Sequence, residues 1–303
     1  MSDTPNVAAS VMARLLKRAK LSGEDYQLLV TAYAFERLLY RLGQSSVRDR
    51  FVLKGAMLLR LWSEQPYRAT RDLDLLRRGD ATFDAIRNDL QVILATPAPD
   101  DGMVFDAAGL VLEPIRADDE YAGVRLMLPA RCGKARLSLQ IDLGVGDAVW
   151  PDPQLQPYPA LLDAPAPEVL AYGRETVVAE KLEALVVLGD RNSRIKDFFD
   201  LHMLASTFAF ERHELGESVR RTFARRQTPI PTVAPIGLTP TYWENSSRPM
   251  QVRAFARRTG LTVTADMGRE INAILSAFLL PVLDDVAVGS PRSGTWHPGG
   301  PWT

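Results

Sequence analysis

Arg71-Asp72-Leu73-Asp74-Leu75-Leu76 sets two acids one residue apart among leucines. Side chains alternate across a strand with period two, so the pattern predicts a strand with Asp72 and Asp74 on one face and Leu73 and Leu75 on the other. Two carboxylates held that close repel each other and need a proton, a cationic side chain or a metal between them. Oxygen-only ligands suit Mg²⁺, which keeps some waters and takes its other ligands from carboxylates and a substrate's phosphates. The chemistry this pair points to is metal-assisted phosphoryl or nucleotidyl transfer. The same spacing also serves solvated strand edges and ion pairs, and Arg68 and Arg71 are at hand as partners.

A third acid separates these readings. Leu137-Ser138-Leu139-Gln140-Ile141-Asp142-Leu143 alternates strictly between apolar and polar residues, the clearest strand pattern in the chain. Asp142 lies on its polar face, just before Gly144-Val145-Gly146-Asp147. If this strand neighbours the first, three carboxylates converge on one face, about the number that a two-metal site requires. If it does not, Asp142 only ends a strand and bonds the glycine turn.

The elements that must position a substrate follow from the lysines. The chain has six lysines and thirty arginines, and Lys54, Lys181 and Lys196 fall in segments of interest on other grounds. Phe51-Val52-Leu53-Lys54-Gly55-Ala56 leads into an apolar run to Trp62, which predicts a short strand, a glycine turn and a helix. Free N–H groups at such a turn suit phosphate. Thr176–Val186 predicts a helix with Val178, Leu182, Leu185 and Val186 as its apolar stripe and Lys181 beside it. A second helix begins near Arg194-Ile195-Lys196-Asp197 and carries Asp200 among apolar neighbours. A buried acid needs a partner, for which Lys181 and Arg194 are the candidates. Either Lys181 reaches a triphosphate, or a Lys–Asp pair braces two helices.

Taken in order, these segments resemble the AbiEii family of nucleotidyltransferase toxins of type IV toxin–antitoxin systems, MenT-like members included. Lys54-Gly55-Ala56 looks like the family's Lys-Gly-Gly signature, with Ala56 where a second glycine is usual. Thr70-Arg71-Asp72-Leu73-Asp74 looks like its Ser/Thr-x-Asp-x-Asp metal motif, and Ile141–Asp147 like the strand bearing the third acid. Ala179–Leu185 and Arg194–Leu201 are similar to its two later helical motifs, and a looser likeness runs on to about residue 285. The resemblance implies an α+β fold: a polymerase-β-like minimal nucleotidyltransferase core, with a mixed sheet and flanking helices, and a helical C-terminal domain. It implies an Mg²⁺- or Mn²⁺-dependent enzyme that moves a nucleoside monophosphate from an NTP to RNA, above all the tRNA 3′ end, and so blocks translation. Asp72, Asp74 and Asp142 would hold metal, and Asp142 would help activate the acceptor hydroxyl. Lys54 and Gly55 would cradle phosphates, with Thr70, Arg71, Arg194 and Lys196 also on the nucleotide. Lys181 would neutralise the triphosphate, and Asp200 would orient Lys181 or Arg194. Thr70 is also placed for inhibitory phosphorylation. A cognate antitoxin is implied. A protein or small-molecule hydroxyl as acceptor, or a non-catalytic nucleotide-binding partner, are the competing readings.

Composition is in keeping with this. With 303 residues, 46% apolar and 24% charged, the chain is long enough for two domains of a globular protein. A single cysteine, Cys132, precludes an internal disulfide and suits a reducing cytoplasm. No secretory signal or membrane-spanning run is expected, and neither membrane nor DNA is an expected partner. Boundaries are expected at 1–150 for an N-terminal helix and the core, 151–167 for a Pro-rich linker, 168–286 for a helical domain completing the cleft, and 287–303 for a mobile tail. A net charge of −1 argues against bulk nucleic-acid affinity, yet residues 211–260 hold nine arginines and four acids. That clustering could follow an RNA backbone or form a solvated helical face. Tyr242 and Trp243 could stack a base or pack in the core.

Overall fold

The computed structural model describes residues 6–63, 68–115, 123–264, 266–290 and 292–303. It divides into two units, Met1–Gly146 with Gln154–Ala171, and Asp147–Pro153 with Tyr172–Thr303. The first is built on one mixed sheet. Its strands are β1 (Phe51–Lys54), β2 (Asp72–Arg77), β3 (Met103–Phe105), β4 (Val111–Ile115), β5 (Gly123–Cys132), β6 (Ala135–Val145), β7 (Gln154–Pro157) and β8 (Glu168–Ala171). They lie in the order β3-β5-β6-β2-β1-β8-β7, with β4 pairing β5 beside β3. β2 runs parallel to β6 and antiparallel to β1, while β5 and β6 form a hairpin closed at Gly133-Lys134.

Alternation decides which face is buried. Leu73 and Leu75 of β2, Ile141 and Leu143 of β6, and Leu126 and Leu128 of β5 are all buried. The helices of this unit are α1 (Val7–Ser22), α2 (Tyr26–Gln44), α3 (Leu58–Trp62) and α4 (Phe83–Ala95). Asp25 caps α2 by accepting the Leu28 N–H at 2.9 Å. α2 packs on β6 and β8. Gly43 makes this approach possible, since a Cβ there would lie 2.3 Å from the Glu168 carbonyl oxygen.

The second unit is helical. It contains α5 (Arg174–Leu188), α6 (Ile195–Thr207), the two-residue β9 (Phe210–Glu211), α7 (Arg212–Arg225), α8 (Pro240–Glu244), α9 (Arg248–Thr259), α10 (Met267–Val288) and β10 (Thr295–Trp296). α10 is its central helix, with Ile271, Leu275, Phe278, Leu279, Val282 and Leu283 buried. By length and composition α10 also passes for a membrane span, with a mean hydropathy of 1.8, contrary to the expectation that no run comes near one. Its buried apolar residues and Asp285, which pairs with Arg212 at 2.7 Å, are what a core helix needs.

Two expected boundaries differ from the structure. The stretch 151–167, read as a linker for its prolines, contains β7 and folds back to the sheet. Tyr158 and Leu161 are buried, and the Leu161 N–H donates to the buried Glu36 carboxylate at 2.6 Å. Burial pushes the Glu36 carboxyl up, against the opposing pull of Arg37. The tail, read as mobile for its glycines and prolines, is held by its tryptophans. Trp296 is buried, its indole donates to the Ala205 carbonyl at 2.7 Å, and β10 pairs with β9. Trp302 donates to the Phe278 carbonyl at 3.0 Å.

Candidate active site

β2 presents Asp72 and Asp74 on the face opposite buried Leu73 and Leu75. Its register with β6 sets Asp74 beside Asp142 and Asp72 beside Gln140. One carboxylate oxygen from each of Asp72, Asp74 and Asp142 lies within 4.8 Å of the others. Three partly buried carboxylates at that spacing are an oxygen-only donor set that fits a hard divalent cation.

Neighbouring groups fix each acid. The Thr70 hydroxyl donates to Asp72 Oδ1. Lys54 is the cross-strand partner of Asp74. Gly55 follows with φ +69°, and a Cβ there would stand 1.9 Å from Asp74 Oδ2. Only glycine lets the backbone lie flush on that carboxylate in a left-handed conformation. Ala56 lies in a 3₁₀ turn without a positive φ, so the backbone there does not require the second glycine of the signature. α3 has five residues, too few for much of a helix dipole.

Asp142 has partners that the sequence reading did not single out. Arg125 on β5 is its register neighbour and grips it as a fork, Nε to Oδ1 and a terminal nitrogen to Oδ2, both at 2.8 Å. Gln140 adds a bond to Oδ2 at 3.1 Å. The signal was there in the alternation of Val124-Arg125-Leu126-Met127-Leu128 and in the two-residue turn that sets the hairpin register.

In the second unit Lys181 on α5 meets two acids of α6, Asp197 at 2.6 Å and Asp200 at 2.7 Å. Burial pulls the ammonium's pKa down, but Asp200 and then Asp197 outweigh it and hold it above its usual value. These ion pairs join α5 and α6, and Asp197 is a partner beyond the Asp200 singled out in the sequence. Arg194 pairs with Asp197 at 2.8 Å. Lys196 is exposed on α6, and Arg71 is exposed beside β2.

Much of the basic stretch 211–260 is committed internally. Arg212 pairs with Asp285, Arg220 and Arg221 with Glu217, and Arg226 with Glu183. Glu217 is held down to about 2, mainly by its hydrogen bond from Arg220. Arg248 is buried and donates to the Asn192 carbonyl at 2.8 Å. Exposed Arg253, Arg257 and Arg258 share α9. Tyr242 is a core residue, stacked on Phe198 at 4.7 Å.

Residues 37–277 match the family model described as nucleotidyl transferase AbiEii toxin, type IV TA system. Among curated proteins there is no significant match. The structure is similar to that of JHP933 from Helicobacter pylori, at 14% identity and a TM-score of 0.46, over 88% of this chain and 95% of that one. It is also similar to an antigenic nucleotidyltransferase-like protein from Paracoccidioides brasiliensis, at 12% identity and a TM-score of 0.34, over 77% of this chain and 95% of that one. At these scores the likenesses carry no argument about the site.

Proposed function

The chain belongs to the AbiEii nucleotidyl transferase toxin family of type IV toxin–antitoxin systems, and from that premise we propose that it transfers a nucleoside monophosphate from an NTP to RNA, the 3′ end of tRNA first of all, and so blocks translation. The observation that carries this reading is the convergence of Asp72, Asp74 and Asp142 on one sheet face. In the reaction an acceptor hydroxyl attacks the α-phosphorus, the bond to the bridging oxygen breaks, and pyrophosphate leaves with the electron pair while the hydroxyl proton passes to solvent. Bound Mg²⁺ or Mn²⁺ would supply positive charge to the phosphoryl oxygens as they reorganise.

The chain's own residues bind and orient. Asp72 and Asp74 are assigned as the principal metal ligands because β2 aims both at one point. Asp142 is assigned as the third ligand, placed also to help activate the acceptor hydroxyl. Lys54 and the Gly55 backbone, which border Asp74, are assigned to the phosphates. Thr70 positions Asp72 through its hydroxyl, so a phosphate on Thr70 would set charge against the metal ligands. The assignment of Lys181 to the triphosphate, with Asp200 orienting it and Arg71, Arg194 and Lys196 contributing charge, rests on the family likeness. A cytoplasmic setting and a cognate antitoxin belong to the same reading.

The experiment incubates purified protein, Mg²⁺, each α-³²P-labelled NTP in turn and total tRNA, then treats the product with ribonuclease or protease. Ribonuclease-sensitive label is expected. Protease-sensitive label alone would move the acceptor to protein and keep the chemistry. An absence of label on either, from folded protein, would contradict the RNA assignment and leave small-molecule hydroxyls as the acceptors to assay.

A further inference from the structure

The grip of Arg125 on Asp142 occupies a residue that the proposed chemistry needs for metal. On the polar face of the sheet, register places Glu113 of β4, Arg125 of β5 and Asp142 of β6 side by side. Directly opposed side chains on neighbouring strands are close enough to exchange partners. Arg125 is 39% exposed in its side chain, so it has room to turn, and Glu113 is exposed. A guanidinium fork satisfies both oxygens of a carboxylate at once, and its charge offsets part of the repulsion among the three acids.

We propose that Arg125 is a positioning residue that acts as a built-in placeholder for the metal: it holds Asp142 in the cation-free state and passes to Glu113 when a divalent cation takes Asp142. This rests on the reading of the carboxylate triad as the metal site. The competition has a direction. Removing the guanidinium leaves the triad more negative and should tighten cation binding. Removing the carboxylate of Glu113 takes away the alternative acceptor, keeps Arg125 on Asp142 and should weaken cation binding. Charge removal alone pushes in the same two directions but additively, so the Arg125→Gln/Glu113→Gln double variant separates the two: with exchange, the Glu113→Gln effect disappears once Arg125 is gone, and an effect that persists undiminished in the Arg125→Gln background would overturn the exchange.

The test is Mn²⁺ titration of the full chain without nucleotide, followed by electron paramagnetic resonance of free Mn²⁺, with circular dichroism to confirm folding. Wild type, Arg125→Gln, Arg125→Lys, Glu113→Gln and the Arg125→Gln/Glu113→Gln and Asp72→Ala/Asp74→Ala double variants are compared. Partly exposed ion pairs are worth up to about 1 kcal/mol, so Arg125→Gln is expected to bind Mn²⁺ several-fold tighter, up to about fivefold, and Glu113→Gln to bind it several-fold more weakly. Arg125→Lys, which keeps charge but loses the fork, should fall between wild type and Arg125→Gln. Unchanged or weaker binding in folded Arg125→Gln would overturn the placeholder alone. Should Arg125→Gln fail to fold, the exposed Glu113→Gln decides, and unchanged affinity there would overturn the exchange. Mn²⁺ binding that survives undiminished in the Asp72/Asp74 double variant, or an absence of binding in every variant, would overturn the triad reading and the placeholder with it.

Discussion

At the scale of single residues the site is shaped by what cannot be changed. Gly55 is the sharpest case, because a side chain there meets both a left-handed backbone and the Asp74 carboxylate at 1.9 Å. Gly55→Ala should cost roughly 1–3 kcal/mol in local strain and push Asp74 off its position. A displacement of about 1 Å in a positioned group can cost on the order of 10² in rate, so single-turnover transfer should fall at least that far in a variant that remains folded. A Gly55→Ala protein that transfers at the wild-type rate would show that the turn and Asp74 do not work together. Asp72, Asp74 and Asp142 were legible in the sequence because acids at alternate positions in apolar strands stand out from their neighbours. Arg125 was harder to read. Its pairing with Asp142 follows only after the register is counted back from Gly133-Lys134, and exposed arginines are common in a chain with thirty of them.

At the scale of elements, α5 and α6 are joined through Lys181, Asp197 and Asp200. Lys181→Met leaves two buried carboxylates without their ammonium and should destabilise the protein by about 3–5 kcal/mol. The pH dependence follows from the direction of the shift. Lys181 is raised in the folded protein above its usual value of 10.5, so its contribution is whole below that pH and is lost as pH rises through the folded value. Buried Tyr172, pushed up by desolvation, works in the same direction and is common to both proteins. Thermal melts from pH 8 to 12 should therefore show a smaller alkaline loss in Lys181→Met than in wild type; equal losses would contradict the pairing account. The helical spacing made both helices legible, but not their partner choice, since Asp197 and Asp200 lie three residues apart and face the same way.

At the scale of the whole chain, composition misled in consistent ways. Prolines at 151–167 read as a linker and glycines and prolines at the tail as a mobile end, yet Tyr158, Leu161 and Trp296 supply the apolar burial that holds those segments. The arginine-rich stretch 211–260 read as a cationic surface, yet five of its arginines are committed to internal partners. If α9 meets RNA through Arg253, Arg257 and Arg258, about three phosphates are neutralised, and the logarithmic salt slope of tRNA binding should be shallow, roughly −2 to −3. Replacing all three with alanine should bring that slope close to zero, as read by filter binding across a salt series. A steep slope that survives the triple substitution would place the RNA contacts elsewhere.

If Asp72, Asp74 and Asp142 run metal-dependent nucleotidyl transfer, losing two of them must stop it. The most direct measurement compares wild type with the Asp72→Ala/Asp74→Ala variant for transfer of α-³²P label to tRNA, with Mg²⁺ and with chelator. Label is expected with wild type and Mg²⁺, and none with the variant or with chelator. Equal labelling by the folded variant would contradict this expectation, because the chemistry would then lie away from the triad.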